Sequence, residues 1–394
     1  MSSIFSHQLM TWIWTVITLA TCCVRVPLLG LYNLPRACRR HPKWTYRQAM
    51  GVELLRIWFA YASSVKFRFP TSLESGKERE RFVVIQPSTR DIYRALPNVP
   101  KSTVKPQPMG GTWYPRLYNP SEDATQQVIL HFHGGGYVLS SPRDSECGPA
   151  GLALCKSMDA LSFFPQYRLA TTPDGRFPAA FQDALTAYAY LIDLGVRSSN
   201  IVLSGDSAGG HLVVALLRYL SDNHGLLGDP RAALLWSPWL NLAADPADID
   251  RSRNQTTDFL LGSFVKWAVE AFVPPDMDLK HPYIAPAYHP FSTQIPIWVQ
   301  VGCLEVLHDE TVLFADRMLK IRNNVVEVLE VPYAPHDIFL AASIADFEGE
   351  VADAMKVAAK FLAAKHRCLQ DDLASTVSVA ETSIPVDLDR AVHR

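Results

Sequence analysis

The pentapeptide Gly205-Asp-Ser-Ala-Gly209 constrains the fold of this 394-residue chain more than any other feature. It follows an apolar segment, Asn200–Ser204, with the pattern of a buried strand, and precedes a helical pattern from Ala208 to Leu220. So tight a turn from strand to helix forces Ser207 into a strained backbone conformation, and the flanking glycines keep Cβ atoms away from it. The hydroxyl then projects above a sheet at a helix N-terminus, which favours negative charge. The pattern predicts that Ser207 is a catalytic nucleophile.

From residue 127 onward, short apolar runs alternate with helical patterns. Strands are predicted at 127–132, 160–164, 200–204, 232–236, 297–301 and 325–331, and helices at 177–193, 208–220, 310–321 and 348–364. Two earlier edge strands, Arg81 to Gln86 and Thr112 to Tyr118, are weaker, and residues 44–66 have the pattern of an amphipathic helix. This alternation predicts an α/β fold with a mostly parallel, doubly wound sheet that is covered on both faces.

The chain divides into four parts by composition and hydrophobic pattern. These are a hydrophobic N-terminal segment at 1–35, an N-terminal cap with the first strands at 36–124, a catalytic domain at 125–368 with a cap insertion at 240–295, and a loose polar tail at 369–394. Within the insertion, Thr257 to Phe272 has a helical pattern that is apolar on one side.

Composition excludes several classes of protein. Hydrophobic residues make up 48% of the chain, which excludes disorder of the whole chain. The formal charge is 37 − 39 = −2, and no basic excess points to a nucleic-acid partner. Seven scattered cysteines without a Cys-x-x-Cys pair argue against a disulfide scaffold and against a cysteine-rich zinc site. The oligomeric state cannot be read from the sequence.

A second glycine-rich segment, His131-Phe-His-Gly-Gly-Gly136, follows the strand at 127–132. Successive glycines leave backbone N–H groups able to approach a ligand, and a developing oxyanion needs two or three such donors. We predict an oxyanion hole from Gly134, Gly135 and Gly136 together with Ala208. The N–H groups of Gly135, Gly136 and Ala208 are the expected donors, and Gly134 permits the turn. A phosphate-binding loop is disfavoured because the Lys-Ser/Thr of such loops is missing.

A serine nucleophile needs a base, and the base needs an orienting carboxylate. In a sheet of this kind the order along the chain is serine, acid, histidine. Glu305 follows the strand 297–301 and is the predicted acid, whereas Asp309 suits a role at the start of the next helix. His336 follows the last strand, 325–331, and is the predicted base.

The N-terminus contains sixteen consecutive residues, Leu9–Val24, that are mostly apolar. Two tryptophans suit a membrane interface, and Arg25, Arg36, Arg39, Arg40, Lys43 and Arg47 follow the segment. We favour a single-pass membrane anchor, with the endoplasmic reticulum as a candidate membrane and, by the positive-inside rule, the basic side in the cytoplasm. A buried or lipid-surface helix, a cleaved signal and a soluble cytoplasmic protein are the alternatives.

Several motifs together resemble the hormone-sensitive-lipase-like family of α/β-hydrolases over residues 125–365. They are His133-Gly-Gly-Gly136, Tyr167-Arg-Leu-Ala170, Phe177-Pro-Ala-Ala180, Gly205-Asp-Ser-Ala-Gly-Gly210, Ser237-Pro-Trp239, Gly302-Cys-Leu-Glu-Val-Leu-His-Asp309 and His336-Asp-Ile-Phe339. The resemblance implies an α/β-hydrolase fold with a helical cap, ester hydrolysis without metal or organic cofactor, and an apolar acyl pocket. The family's acid is usually aspartate, and Glu305 departs from that. The hydrophobic N-terminus and cap also resemble those of fungal hydrolases in secondary metabolism.

The sequence therefore predicts a serine esterase with a Ser207–His336–Glu305 triad. Its expected substrate is an apolar small-molecule ester or lactone, with secondary metabolites as one candidate class. Acyl transfer to another acceptor, or cyclisation at the same site, is the alternative function, and a binding protein with a vestigial site is a third. Aromatic residues of the presumed cap indicate either a bulky apolar pocket or ordinary core: Trp58, Phe59, Tyr61, Phe264, Trp267 and Phe272.

Overall fold

The structure is a computed structural model that describes residues 2–69, 71–93 and 104–381. Side chains are described for these residues except at 2–10 and 365–381.

One sheet runs through the described part of the chain. Its strands are β1 (Phe82–Ile85), β2 (Met109–Tyr114), β3 (Val128–Phe132), β4 (Leu161–Gln166), β5 (Ile201–Asp206), β6 (Ala232–Trp236), β7 (Ile297–Gly302) and β8 (Val326–Val331). Their order across the sheet is β1-β2-β4-β3-β5-β6-β7-β8. The β1–β2 and β2–β4 pairs are antiparallel, and the pairs from β4 to β8 are parallel. The predicted α/β fold with a mostly parallel sheet is confirmed.

Helices cover this sheet on both faces. They are α1 (Ser2–Tyr32), α2 (Tyr46–Val65), α3 (Gly148–Met158), α4 (Ala179–Asp193), α5 (Ala208–Asp222), α6 (Pro246–Arg251), α7 (Gly262–Phe272), α8 (His308–Leu319), α9 (Ile338–Ala345) and α10 (Glu348–Glu381). Strands β3 to β7 are buried along their whole length, as expected for parallel strands between two helical layers. Helix α5 packs on β5, β3 and β6, so the helix after Ser207 lies in the centre of the core.

Two elements outside the cap segments differ from the sequence expectation. The predicted loose tail at 369–394 is wrong for its first part, because α10 continues to Glu381, and no proline or glycine lies between Glu350 and Glu381 to stop it. Residues 382–394 lie outside the described residues. The predicted second strand is shifted and ends at Tyr114, because Pro115 has no N–H for the ladder.

The two segments predicted to form a cap, α2 and the insertion between β6 and β7, pack against each other. Thr45 and Gln48 form a capping box at the start of α2, with reciprocal bonds of 3.0 and 2.9 Å between side chain and backbone N–H. The rings of Phe59 on α2 and Phe264 on α7 meet edge to face with centroids 4.6 Å apart. The predicted helix at 257–272 begins only at Gly262, and residues 257–261 form a loop that reaches the site described next.

Candidate active site

Ser207 lies at the sharp turn between β5 and α5. Its backbone has φ 49° and ψ −115°, a strained conformation for a residue with a Cβ atom. Its backbone N–H donates to the Trp236 carbonyl at 2.9 Å, and its carbonyl accepts from the Trp239 N–H at 2.9 Å. A Cβ atom at Gly209 would lie 1.9 Å from the Phe132 carbonyl oxygen, so only glycine fits two residues after the serine. The surrounding backbone therefore fixes this strained turn.

The structure brings Ser207, His336 and Glu305 into one hydrogen-bonded chain. His336 Nε2 is 2.9 Å from Ser207 Oγ, and His336 Nδ1 is 2.7 Å from Glu305 Oε2. The other carboxylate oxygen of Glu305 accepts from the Gly302 N–H at 2.8 Å. Glu305 is fully buried and His336 is 2% exposed, whereas Ser207 lines a cavity. This geometry allows a base to take the serine proton while a carboxylate holds the imidazole.

Asp309, the weaker sequence candidate for the acid, lies elsewhere. Its exposed carboxylate pairs with Arg253 at 2.6 Å and with His308 Nδ1 at 2.8 Å. Asp309 stands in the first turn of α8, where a carboxylate has an ordinary favourable interaction with the helix dipole.

The loop of three glycines lies beside Ser207. Gly135 and Gly136 have φ angles of 104° and 62°, which favour glycine, and both line the same cavity as the serine. Their N–H groups, like that of Ala208 in the first turn of α5, have no acceptor among the described residues. The Gly134 N–H instead donates to Asp206 Oδ2 at 2.7 Å. Gly134 thus differs from the other predicted members: it fixes the loop and has no free donor for an oxyanion.

Two buried carboxyls, Asp206 and Asp337, meet beneath this loop. Burial raises the pKa of Asp206 to about 6, and burial together with the neighbouring Asp206 raises the pKa of Asp337 well above its usual range. The two carboxyls are close enough that each acts on the pKa of the other. Asp206 also contacts His131 Nε2 at 2.8 Å, and burial lowers the pKa of His131 to about 3. Both carboxyls therefore bind protons more tightly in the folded protein than a free aspartate does.

A further carboxylate, Asp258, comes from the cap insertion. Its oxygens accept from the N–H groups of Phe259 at 2.6 Å, Val306 at 2.6 Å and His336 at 3.2 Å. Asp258 thus connects the cap to the backbone of both the acid loop and the histidine loop. Sequence reasoning missed this residue because nothing in the spacing of the insertion marks one aspartate among several. Burial raises its pKa to about 6, despite the favourable charge of His336.

The insertion loop is itself held by the N-terminal cap. Arg56 of α2 donates to the carbonyls of Gln255, at 2.8 Å, and Asp258. Asn254 donates to the carbonyl of Glu305 at 2.9 Å. The position of the acid loop therefore depends on residues from both parts of the cap.

The charges around His336 favour its protonated form. Burial lowers the pKa of the imidazole, but the hydrogen bond and charge of Glu305, with the charge of Asp258, outweigh burial and raise the pKa to about 9. A base of this kind is in its neutral, proton-accepting form only as the pH rises through that pKa.

A cavity of about 300 Å³ adjoins Ser207, and its walls are mostly apolar. Of the predicted cap aromatics, Trp58, Phe59 and Phe264 line it. The other three do not. Tyr61 contacts Trp58 from outside the lining, Trp267 is buried elsewhere, and Phe272 stacks on Tyr137 in the core.

Among the residues that the structure describes, Cys303, His308 and Glu330 come close enough together to hold a metal ion. Both ring nitrogens of His308 are engaged, however, Nε2 with Glu330 at 2.7 Å and Nδ1 with Asp309 at 2.8 Å. His308, Asp309 and Glu330 thus form a hydrogen-bonded network, and neither these residues nor Cys303 line the Ser207 cavity.

Comparison with known proteins places the chain in a family. Residues 129–340 match a family described as having the alpha/beta hydrolase fold, and the chain belongs to it. The resemblance to hormone-sensitive-lipase-like α/β-hydrolases is confirmed.

Two curated relatives show how similar this chain is to known proteins. An acetyl-hydrolase of Streptomyces hygroscopicus is 33% identical over 195 residues, which cover 49% of this chain and 62% of the relative. An ethyl acetate hydrolase of Pseudomonas putida is 28% identical over 244 residues, covering 60% of this chain and 74% of the relative. The chain thus spans less than two thirds of the Streptomyces protein.

Solved structures share the fold. EstE5, soaked with p-nitrophenyl butyrate, matches with a TM-score of 0.58 and 22% identity over 82% of this chain and 99% of its own. An esterase from the bacterial hormone-sensitive lipase family matches with a TM-score of 0.59 and 21% identity over 81% of this chain and 98% of its own.

Proposed function

We propose that this protein is a serine carboxylic-ester hydrolase. The observation that carries the proposal is the single chain of hydrogen bonds from Ser207 Oγ through His336 to Glu305. Proteins named acetyl-hydrolase and ethyl acetate hydrolase among its relatives support the same activity.

The proposed reaction has two halves. Ser207 Oγ attacks the acyl carbonyl while His336 Nε2 takes the serine proton, and the carbonyl oxygen becomes an oxyanion facing the N–H groups of Gly135, Gly136 and Ala208. Collapse breaks the bond to the alcohol, which leaves with the proton from His336. Water then attacks the acyl-serine, with His336 as base again, and the acid is released. Glu305 holds the imidazole and stabilises its positive charge in both halves.

The cavity supports an apolar substrate of limited size. At about 300 Å³ it is at the lower end for small-molecule sites, and Trp58, Phe59 and Phe264 give it aromatic walls. We propose an ester or lactone with an apolar acyl or alcohol part. A secondary metabolite as the natural substrate stays a prediction.

The test is pre-steady-state hydrolysis of p-nitrophenyl butyrate by the wild type and by Ser207→Ala. We expect a burst or steady release of p-nitrophenol that the variant loses by a factor on the order of 10⁴ or more, because the nucleophile is removed. Ser199→Ala, which changes an exposed serine distant from the cavity, is the matched control. Hydrolysis by Ser207→Ala at the wild-type rate would contradict the proposal.

Acyl transfer or cyclisation at the same site is the second candidate. It is favoured by the apolar cavity around Ser207, where an apolar alcohol can compete with water for the acyl-serine. Product analysis in ¹⁸O-labelled water with a long-chain alcohol present distinguishes the two. Free acid carrying ¹⁸O indicates hydrolysis, and a new ester without ¹⁸O indicates transfer.

We also propose membrane association through α1. The residues Thr11–Tyr32 are long and apolar enough to cross a membrane, although a signal sequence passes the same criterion. The predicted single-pass anchor and a helix lying on the lipid surface are two forms of this association. Recovery of the full-length protein in the soluble fraction without detergent would contradict both.

A further inference from the structure

Helix α1 exposes its large apolar side chains and covers its small ones, the reverse of a surface helix in a soluble protein. The positions that are partly covered by the rest of the protein are spaced three or four residues apart and carry mainly small or weakly polar side chains: Thr11, Thr15, Thr18, Cys22, Val26, Leu29 and Gly30. The exposed positions carry the large apolar ones, including Trp12, Trp14, Val16, Ile17, Leu19, Val24, Leu28 and Leu31, and Arg25 is the one charged residue between Thr11 and Tyr32. A soluble helix buries its apolar face, whereas helices in lipid place small residues at their contacts.

Two threonine hydroxyls on α1, those of Thr15 and Thr21, are hydrogen-bonded within the protein. Thr15 Oγ1 bonds to the Thr11 carbonyl and to the Tyr61 hydroxyl, both at 2.8 Å, and Thr21 Oγ1 donates to the Ile17 carbonyl at 2.8 Å. Such internal bonds are what a hydrocarbon environment requires, since lipid offers no partner.

Helix α1 lies antiparallel along α2. Thr15 contacts Tyr61 near one end of the pair, and Gly30 closely approaches the Tyr46 hydroxyl near the other. The contact therefore extends over residues 15–30 of α1, roughly 22 Å at the rise of an α-helix. The opposite face of α2 is buried in the domain. The medium in contact with the exposed face of α1 therefore also contacts the domain surface next to α2.

The Ser207 cavity reaches this same surface. Trp58, which lines the cavity, is 37% exposed and its ring contacts Tyr61, the partner of Thr15 on α1. Ile344 of α9 also lines the cavity and is 57% exposed. The mouth of the cavity is thus bordered by exposed apolar side chains. One of them, Trp58, contacts Tyr61, which in turn bonds to Thr15 of α1.

We propose that α1 and the cavity mouth at Trp58 and Ile344 form one lipid-contacting face, and that the site takes esters dissolved in a phospholipid bilayer. Exposed cations that follow α1, namely Arg36, Lys43 and Arg47, match anionic headgroups at the edge of this face. The choice of an ester as substrate rests on the proposed hydrolysis. The lipid-contacting face is argued only from the exposed side chains and does not depend on that activity.

The first test is flotation of the full-length protein with vesicles of phosphatidylcholine and anionic phosphatidylserine after detergent removal. The wild type is expected to float, and the double variant Ile17→Glu/Leu28→Glu to lose at least tenfold in bound fraction, because two charges enter the lipid face. Leu152→Glu/Leu319→Glu, at exposed helical leucines elsewhere, is the matched control. Flotation of the α1 variant at the wild-type level overturns the proposal. So does a stable lipid-free dimer that the α1 variant abolishes, because a second copy then covers the face.

The second test compares two substrates. The α1 variant is expected to hydrolyse soluble p-nitrophenyl butyrate within twofold of the wild type, and to lose at least tenfold on a long-chain p-nitrophenyl ester held in the vesicles. Equal rates on the vesicle ester by a variant that no longer floats overturn the proposed entry from lipid. Failure on the soluble ester by the wild type overturns the proposed hydrolysis, and the two failures are therefore distinguishable.

A third measurement needs no turnover. Brominated phosphatidylcholine quenches tryptophan fluorescence on contact, and the part of the quenching that Trp58→Phe removes reports the cavity mouth. We expect Trp58→Phe to lose part of the quenching, whereas Trp298→Phe, at a buried tryptophan, leaves it unchanged. Quenching that is the same in Trp58→Phe and the wild type places the mouth away from lipid and overturns the proposal.

Discussion

The base His336 is surrounded by more negative charge than the Glu305 partner alone supplies. Asp258, from the cap insertion, accepts from the His336 backbone N–H at 3.2 Å and contributes its charge to the raised pKa of the imidazole. Because the proton-accepting form of His336 is neutral, kcat/KM is expected to rise with pH through that pKa, with a midpoint above the ordinary histidine value of 6.5.

Asp258→Asn should move this midpoint downward by roughly one pH unit, because a neighbouring negative charge stabilises the imidazolium. The measurement is kcat/KM for p-nitrophenyl butyrate between about pH 6 and 10.5, which brackets the expected midpoint, corrected for uncatalysed hydrolysis. Asp309→Asn, which neutralises an exposed carboxylate of the same region, is the control and should leave the midpoint in place. An unchanged or raised midpoint in Asp258→Asn would show that Asp258 does not act on the base electrostatically.

The Asp206–Asp337 pair gives a prediction about stability. Its carboxyls have folded-state pKa values above the unfolded ones, so the folded protein binds more protons, and the free energy of unfolding falls as pH rises above about 4 through those pKa values. Asp337→Asn removes one of the two titrating carboxyls, and asparagine suits both the left-handed backbone (φ 48°) and the N-cap of α9. The variant should therefore gain stability relative to the wild type between pH 5 and 8.

Urea unfolding at several pH values measures this difference. Asp346→Asn, the same substitution in a left-handed residue at the other end of α9, should show no such trend. A difference between Asp337→Asn and the wild type that is constant with pH would contradict the raised carboxyl pKa values of the pair.

The sequence predicted the site residues that follow a known order along the chain. It missed residues that approach the site only because the folded chain brings them there. The positions of Ser207, Glu305 and His336 followed from strand ends, and the structure brings these three together. Asp258 lies in an insertion without a repeating pattern, so its approach to His336 depends on packing of the cap. The hydrogen bond that the Gly134 N–H donates to Asp206 likewise depends on how the folded chain brings the two residues together.

At the scale of elements, α2 and α9 cross at Gly51. A Cβ atom at this position would lie 2.4 Å from Ala345 Cα, so the two backbones touch. Helix α9 begins two residues after His336, so this crossing also supports the loop that carries the base. Periodicity predicted α2 but not α9, because eight nearly all-apolar residues have no helical pattern to detect.

Gly51→Ala should destabilise the protein by about 1–3 kcal/mol through overpacking, although alanine is the better helix former. Gly349→Ala is the matched control in a helix, since nothing lies within 4 Å of its added Cβ. Chemical denaturation measures both, and we expect the control to be neutral or slightly stabilising. A stabilised Gly51→Ala protein would mean that the α2–α9 crossing has room to adjust.

At the scale of the whole molecule, the contact between α1 and α2 constrains how the protein sits in a membrane. A helix that stood across a bilayer while packed along α2 would carry α2 and the domain surface next to it into the hydrocarbon. The polar surface of the domain disfavours that, because each charged group in hydrocarbon costs several kcal/mol. A helix lying along the membrane surface keeps both α1 in lipid and the domain in water.

This arrangement predicts that both ends of the chain lie on one side of the membrane, whereas the single-pass anchor predicted from the basic residues after α1 places them on opposite sides. The measurement is protease protection of epitope tags at the two termini in sealed vesicles from expressing cells. We expect the two tags to be digested together or protected together, and both to be digested once detergent opens the vesicles. Protection of one tag only would establish a spanning α1, and the α1–α2 contact would then have to open in the membrane.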